Sequence, residues 1–340
     1  MTTNRRLFFS TIVAAVIGSA IIPSPLLAEA EKGKFCDGTM EFVVQFGPGA
    51  SIDIATRAIA ASMAKRLDQK VVVVNKAGAD GLIAARYVHD AAPDFCTVGS
   101  FSPAALTMLP VQIEEQGGVL PYKTPEGFEP IGQWGNTYFV LAVNKQIQVR
   151  TMKELVAYAE KHPFELRVGE SYPFARVFLQ LLRLKYGIRI TSIPYKNGDV
   201  TSLPNLKQNE IQAAILTVGA ALQHIQIGDL HALVLLADTE HPSLLGIPTD
   251  VEIGIKELEG VRTWLGMLGP AGLSAEKVKK FKDALEKTLR EPEIVAMLKK
   301  LGMEPKPSSP DELEALMEKQ RKAWKGLAKR GVTWYEKPAK

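Results

Sequence analysis

Cysteine is almost absent: Cys36 and Cys96 are the only two in 340 residues. No histidine or further cysteine stands at ligand spacing from either. His89, His162, His224, His231 and His241 are scattered with no i, i+4 pair, so no metal site is expected. The Walker and G-x-G-x-x-G phosphate cradles are missing, as is the G-x-S-x-G nucleophile elbow, and spacing picks out no acid/base pair. An exported enzyme is therefore only a minor alternative, and no cofactor is expected. Charge of one sign is nowhere concentrated. The net charge is +4, too mild for a nucleic-acid surface, and the basic run from Lys319 to Arg330 reads as one wet face of a helix. Internal repeats and low-complexity tracts are lacking too.

A long apolar stretch occurs once, at the start. Arg5 and Arg6 form a positive n-region, Leu7 to Ile22 is mostly apolar, and Ala28-Glu29-Ala30 resembles a cleavage site, so residues 1–30 read as a signal peptide cut after Ala30. The other reading is an anchor that stays attached, but the run carries Ser10, Thr11, Gly18 and Ser19 and is short for a spanning helix. Asn4-Arg5-Arg6-Leu7-Phe8-Phe9 also resembles a twin-arginine signal, which implies export after folding. Cleavage removes two positive charges and one negative one (Arg5, Arg6 and Glu29) and leaves +3. In an oxidising compartment two cysteines suit one disulfide, Cys36 to Cys96. Each precedes a strand-like run, and adjacent strand starts make the bridge feasible; two buried free thiols are the alternative.

What is present is a balanced globular composition, 46% apolar and 23% charged, long enough for two domains. Phe42–Phe46, Val71–Val74 and Cys96–Ser100 are strand-like, with helical patterns from Ile52 to Leu67 and Leu82 to Ala91 between them. That succession predicts a mainly parallel sheet flanked by helices. Pro130–Trp134 and Tyr138–Val143 are further strands. A second α/β set runs from the capping box Thr151-Met152-Lys153-Glu154 through strands at 166–168, 190–193, 211–216 and 232–236. Trp264–Leu268 reads as a strand leading back, Ser274 opens a helix, and a second capping box, Ser309-Pro310-Asp311-Glu312, opens another that Gly331 stops. The chain thus reads as lobe one over 31–137, lobe two over 138–249 and a return to lobe one over 250–340. Hinge strands are expected near Trp134–Val143 and Pro248–Leu268.

In such sheets a ligand sits beyond the carboxyl ends of the strands. Lobe one presents Phe46, Pro48, Gly49, Ala50, Ser51 and Asp53, then Gly78, Ala79, Asp80 and Gly81, then Ser100, Phe101 and Ser102. Lobe two presents Ser171, Tyr172, Phe174 and Arg176, then Tyr195 and Lys196, then Thr217. Several of these loops run into helix N-termini, whose unpaired N–H groups and dipole favour an anion. Arg176 is either a bidentate carboxylate clamp or a solvated arginine at a helix start. Asp53 either caps its helix or meets the ligand through water. Asp80 reads as a cap or, facing the pocket, as a group that repels an anion and welcomes an amine. Lys196 is a pocket group or a surface lysine.

Phe46-Gly47-Pro48-Gly49 with Asp53 and Arg57, Val73-Val74-Asn75 with Gly78 and Gly81, Ala92-Pro93-Asp94, and Ile193-Pro194-Tyr195-Lys196 together resemble the tripartite tricarboxylate transporter receptors, the TctC or Bug family. Gly269-Pro270-Ala271-Gly272 and Leu301-Gly302 with Pro305 extend the likeness over the whole mature chain. The resemblance implies a two-lobed, type II-like periplasmic binding fold that closes on carboxylates and works as a monomer. It also implies a membrane permease as partner; a sensor kinase that reads the closed form is the other receptor role. The pocket departs from the family pattern at Ala50-Ser51, Asp80, Leu82 and Leu216. It departs again in a shorter Gly169–Arg176 loop carrying Glu170, Tyr172 and Phe174. Phe101, Leu82, Tyr172 and Phe174 are read as facing an apolar or aromatic ligand body.

Overall fold

The structure, a computed structural model, describes residues 35–334 apart from Asn197. The leader reading falls on residues 1–30, outside the described residues. The chain opens with β1 (Met40–Val44), α1 (Ser51–Arg66), β2 (Val71–Asn75), α2 (Leu82–His89) and β3 (Thr97–Phe101). The three strands are parallel with β1 in the middle. Apart from Glu41, which accepts from the Tyr87 hydroxyl, β1 is apolar on both faces, as suits a strand covered by helices. A π-helical turn at Ala104–Met108 and α3 (Leu109–Glu115) follow, where the sequence pattern marked no element.

β4 (Phe128–Thr137) and β5 (Phe139–Asn144) are separated by Tyr138 alone, yet they belong to different sheets. Lobe two continues as α4 (Met152–Lys161), β6 (Arg167–Glu170), α5 (Pro173–Tyr186), β7 (Thr191–Pro194), α6 (Asp199–Lys207), β8 (Ala213–Thr217), α7 (Val218–Gln226) and β9 (Leu230–Leu236). β10 (Thr263–Pro270), α8 (Ala275–Leu289), α9 (Pro292–Lys300), β11 (Met303–Pro305) and α10 (Pro310–Lys329) complete the fold. The first sheet has the order β11-β4-β10-β3-β1-β2 and the second β7-β6-β8-β5-β9. β10 returns antiparallel between β3 and β4, and β5 is antiparallel to both of its neighbours, so each sheet is mixed. Both predicted capping boxes form: Thr151 with Glu154 opens α4, and Ser309 with Glu312 opens α10.

All four tryptophans are buried. Trp324 and Trp334 pack with Phe174 and Phe178 of α5 and with Met108 and Leu109. Trp324 and Trp334 therefore help to close the core of the second lobe. The Trp334 N–H groups bond the side chain of Gln112 and the carbonyl of Met108.

The disulfide reading is corrected. Cys36 and Cys96 are free thiols. The ladder pairs Glu41 with Thr97, so Cys96 lies level with Met40 while Cys36 lies four residues upstream, in a bent segment before the strand. There Gln69 Nε2 donates to Cys36 Sγ at 3.7 Å. Burial, and then the neighbouring Cys36, push the Cys96 thiol up to about 12.

Candidate functional site

Two cavities lie between the lobes. The inner one is lined from lobe one by Phe46, Ala50, Ser51, Ile52, Ser102, Pro103 and Ala104, and from lobe two by Tyr172, Pro173, Phe174 and Thr217. Thr137, Phe139, Thr263 and Leu265 on the crossing strands β4, β5 and β10 form its back, with Met108 and Met303 beside them. It is small, with a volume of about 40 Å³. None of its lining residues is charged. The outer cavity is larger, about 660 Å³. It is lined by Gln45, Phe46, Gly78, Ala79, Asp80, Glu170, Arg176, Arg183, Tyr195 and Lys196, among others. Phe46 and Tyr172 meet edge to face across the cleft, ring centres 5.6 Å apart, and Phe46 lines both cavities.

Helix geometry supplies the inner cavity with donors. α1 and α5 come from opposite lobes, and both start at its wall. Neither first turn carries a side-chain cap among the described residues. Pro173, the first residue of α5, has no N–H to give, so the first-turn N–H groups that stay available to an anion are those of α1 and those of α5 after Pro173. α7 differs, because the Thr217 hydroxyl accepts from Ala220 N–H. On β4 the Thr137 side-chain oxygen is buried and has no hydrogen-bond partner among the described residues. A buried hydroxyl without a partner is costly, and this one belongs to a residue that lines the cavity.

Arg176 is not a free clamp. Its guanidinium donates to Glu170 Oε2 at 2.8 Å, to Asp80 Oδ2 at 2.7 Å and to the Trp334 carbonyl at 2.8 Å. Burial pulls its pKa down, but Asp80 and Glu170 raise it further, so the cation is held firmly. Because Asp80 belongs to lobe one, the pair ties the lobes together. This corrects both the cap reading and the unpaired reading of Asp80. Gly81 caps α2, and Asp80 adopts φ 52° in a left-handed run with Gly78, Ala79 and Gly81. Asp53 is not the N-cap either. As the third residue of α1 it accepts from Gly49 N–H at 2.9 Å, from Asn75 Nδ2 at 2.8 Å and from Arg57. Burial raises its pKa and these partners more than reverse that, leaving it below the usual carboxylate range. Its work is to hold the Gly47–Gly49 loop.

Other residues fall away from the cavities. Phe101 is fully buried, edge to face with Phe128. It fills the space over Gly99, where a Cβ would strike its ring. Leu82 packs beside core clusters. Ser100 bonds Thr56 and Ser171 bonds Ser202, while Pro48, Gly49 and Gly81 line neither cavity. Lys196 is exposed at the rim of the outer cavity.

Asp199 carries no motif and was not expected. It opens α6 under the inner cavity and accepts from Thr217 Oγ1 at 2.5 Å, Thr217 N–H at 3.2 Å and the Tyr172 hydroxyl at 3.2 Å. Burial raises its carboxyl from an ordinary 3.8 to about 6, against the opposing pull of Thr217 and Tyr172. The folded chain thus holds this proton over a range in which the unfolded chain has lost it. Stability falls as pH rises from about 4 to about 6, by about 3 kcal/mol for a shift of roughly two units. Asp199→Asn removes the titration. Melting curves from pH 4 to 7 are expected to show wild type losing several degrees relative to the variant, and parallel curves would contradict this.

Comparison with known proteins gives the same picture. Residues 55–331 match the family described as "Tripartite tricarboxylate transporter family receptor". The chain is 26% identical to Protein BugT of Bordetella pertussis over 94% of its own length and 97% of that protein's. Among solved structures it is similar to MatC (Rpa3494) from Rhodopseudomonas palustris with bound malate, at 26% identity and TM-score 0.75, covering 86% of this chain and 99% of that one. It is equally similar to R. palustris Rpa4515 with adipate, at 25% identity and TM-score 0.76, covering 86% and 97%. With two mixed sheets flanked by helices, joined at β4–β5 and β9–β10 and enclosing a cleft, the chain belongs to the tripartite tricarboxylate transporter receptor family.

Proposed function

We propose that this chain is exported by its N-terminal 30 residues and works as a monomeric periplasmic receptor. It closes lobe two (138–249) on lobe one (31–137 and 250–340) around a small carboxylate and delivers it to a membrane permease of the tripartite tricarboxylate type. One observation carries the reading: the N-termini of α1 and α5, from opposing lobes and without a side-chain cap among the described residues, meet at one buried cavity beside the Thr137 hydroxyl, which has no partner among the described residues. An anion there satisfies orphan donors on both lobes at once, so it stabilises the closed form by its differential affinity for that form. Malate and adipate in the two R. palustris relatives support a carboxylate.

Ligand that binds only the folded state raises the melting temperature by mass action. Residues 31–340 are expected to gain several degrees with at least one carboxylate and nothing with amines or uncharged analogues. A shift with an amine panel alone would contradict the proposal.

A further inference from the structure

Resting on that reading, we infer that Asp199 couples acid capture to a proton: its carboxyl is protonated as a carboxylate enters the inner cavity, and through Thr217 it turns a hydroxyl hydrogen toward that ligand. Asp199 is buried, one side chain behind the cavity wall. Thr217 and Tyr172 form that part of the wall, and their hydroxyls donate to Asp199 Oδ2 at 2.5 Å and 3.2 Å. While Asp199 is ionised it can only accept, so both hydroxyl hydrogens are held away from the ligand. Protonated on Oδ2, Asp199 must itself donate, and Thr217 Oγ1 is the closest of its partners. Thr217 Oγ1 then accepts from Asp199 and from Ala220 N–H, and its own hydrogen turns into the cavity. One proton comes from solvent, and no other covalent bond changes.

Among the described residues no cation offsets the Asp199 carboxylate. β5 and β8, packed against α6, carry no titratable side chain. From β6, Arg167 turns to Gln212 and Glu170 to Arg176. His224 of α7 faces Asp229, and the Tyr195 hydroxyl after β7 accepts from Asn205. Lys196 is exposed, as is Lys207 at the far end of α6 itself. The titratable group that meets Asp199 is Tyr172, whose phenol is kept neutral by burial and then by the Asp199 charge. An ionised acid in the cavity therefore faces an ionised Asp199 across one side chain, with nothing between them to cancel the repulsion. Burial already raises this carboxyl to about 6, and a second negative charge raises it further. The complex then holds more protons than the free chain near neutrality, so affinity rises as pH falls.

Titration calorimetry of residues 31–340 with benzoate, malate and adipate at pH 6 and pH 8 tests this, because these acids stay mainly ionised over that range. The best-binding acid is expected to bind about tenfold more tightly at pH 6, within the roughly hundredfold that one proton allows across two pH units. At pH 7, buffers of different ionisation enthalpy should report roughly half a proton or more taken up per acid bound. Asp199→Asn supplies an amide that donates to Thr217 without titrating. It is expected to keep the wild-type pH 6 affinity at both pH values, and so to exceed wild type about tenfold at pH 8. A carboxylate with a merely structural role would leave the variant weaker than wild type at both. Carbon-13 NMR of the aspartate carboxyls reads the same coupling without a variant: one signal should titrate near pH 6 in the free chain and higher with acid bound. Affinity that is flat from pH 6 to 8 with no proton uptake, or an NMR midpoint that acid does not move, overturns the inference and leaves the carboxylate-receptor reading standing. A pH dependence that persists in Asp199→Asn overturns its assignment to Asp199. Silence from all three acids at both pH values overturns the inference together with the receptor reading.

Discussion

Gly219→Ala is expected to weaken ligand binding by on the order of a hundredfold while both lobes remain folded. Gly219 lies in the first turn of α7, on lobe two, and faces the turn between α9 and β11, on lobe one. A Cβ on Gly219 would fall onto the carbonyl of Leu301, and one on Gly302 would fall onto the Gly219 nitrogen. Here the lobes touch backbone to backbone. A clash with a side-chain tip can be relieved by a rotamer change, but a clash with a carbonyl can be relieved only by parting the lobes. If only the closed form binds tightly, apparent affinity falls by the fraction of molecules still able to close. Circular dichroism should match wild type, and the radius of gyration from X-ray scattering with ligand present should exceed that of wild type. Wild-type affinity in the alanine variant would show that this contact has no part in closure.

Arg176→Met is expected to cost stability more than it costs ligand. The guanidinium sits between Glu170, whose side chain is 5% exposed, and Asp80 on the other lobe, and it also holds the carbonyl of Trp334. Removing one partner from a buried ion pair costs about 3–5 kcal/mol, because a desolvated charge is left behind. Asp80→Asn removes only the interlobe arm and should cost less. In a double-mutant cycle the two should couple by about 1–3 kcal/mol, as groups in one network do. The inner cavity does not contain Arg176, so affinity for the preferred acid should fall by less than about tenfold in the variant. A loss of affinity with unchanged stability would restore Arg176 to the role of a ligand clamp.

Much of this molecule is legible in its sequence because it is written locally. Thr151 with Glu154 and Ser309 with Glu312 announce helix starts through four-residue patterns, and Val71–Val74 announces a strand by composition. The crevice loops follow from strand ends, so Phe46, Ala50, Ser51, Ser102, Tyr172, Phe174 and Thr217 come together at the inner cavity. Long-range pairing is what stays hidden. Nothing near Arg176 in the chain signals Asp80, 96 residues away. Thr137 and Thr263 look like ordinary strand residues, and they reach the cavity only because β4 and β10 cross between the lobes. Asp199 gains its character from burial against Thr217 and Tyr172, which local patterning cannot register. The cysteines mislead for a related reason: the sequence shows adjacent strand starts and the fold does bring the two thiols near each other, but whether they bond depends on their three-dimensional geometry, and both are free. The short β11 lies below the length at which periodicity carries information.

The most direct test of the central claim is a calorimetric titration of residues 31–340 with the best-binding acid, alongside Gly219→Ala, followed by chemical recovery of the bound acid. One acid per chain, returned unchanged, with binding lost or greatly weakened in the variant, is the predicted result. Conversion of the acid, or equal binding by the two proteins, would contradict a receptor that works by closing its lobes on an intact carboxylate.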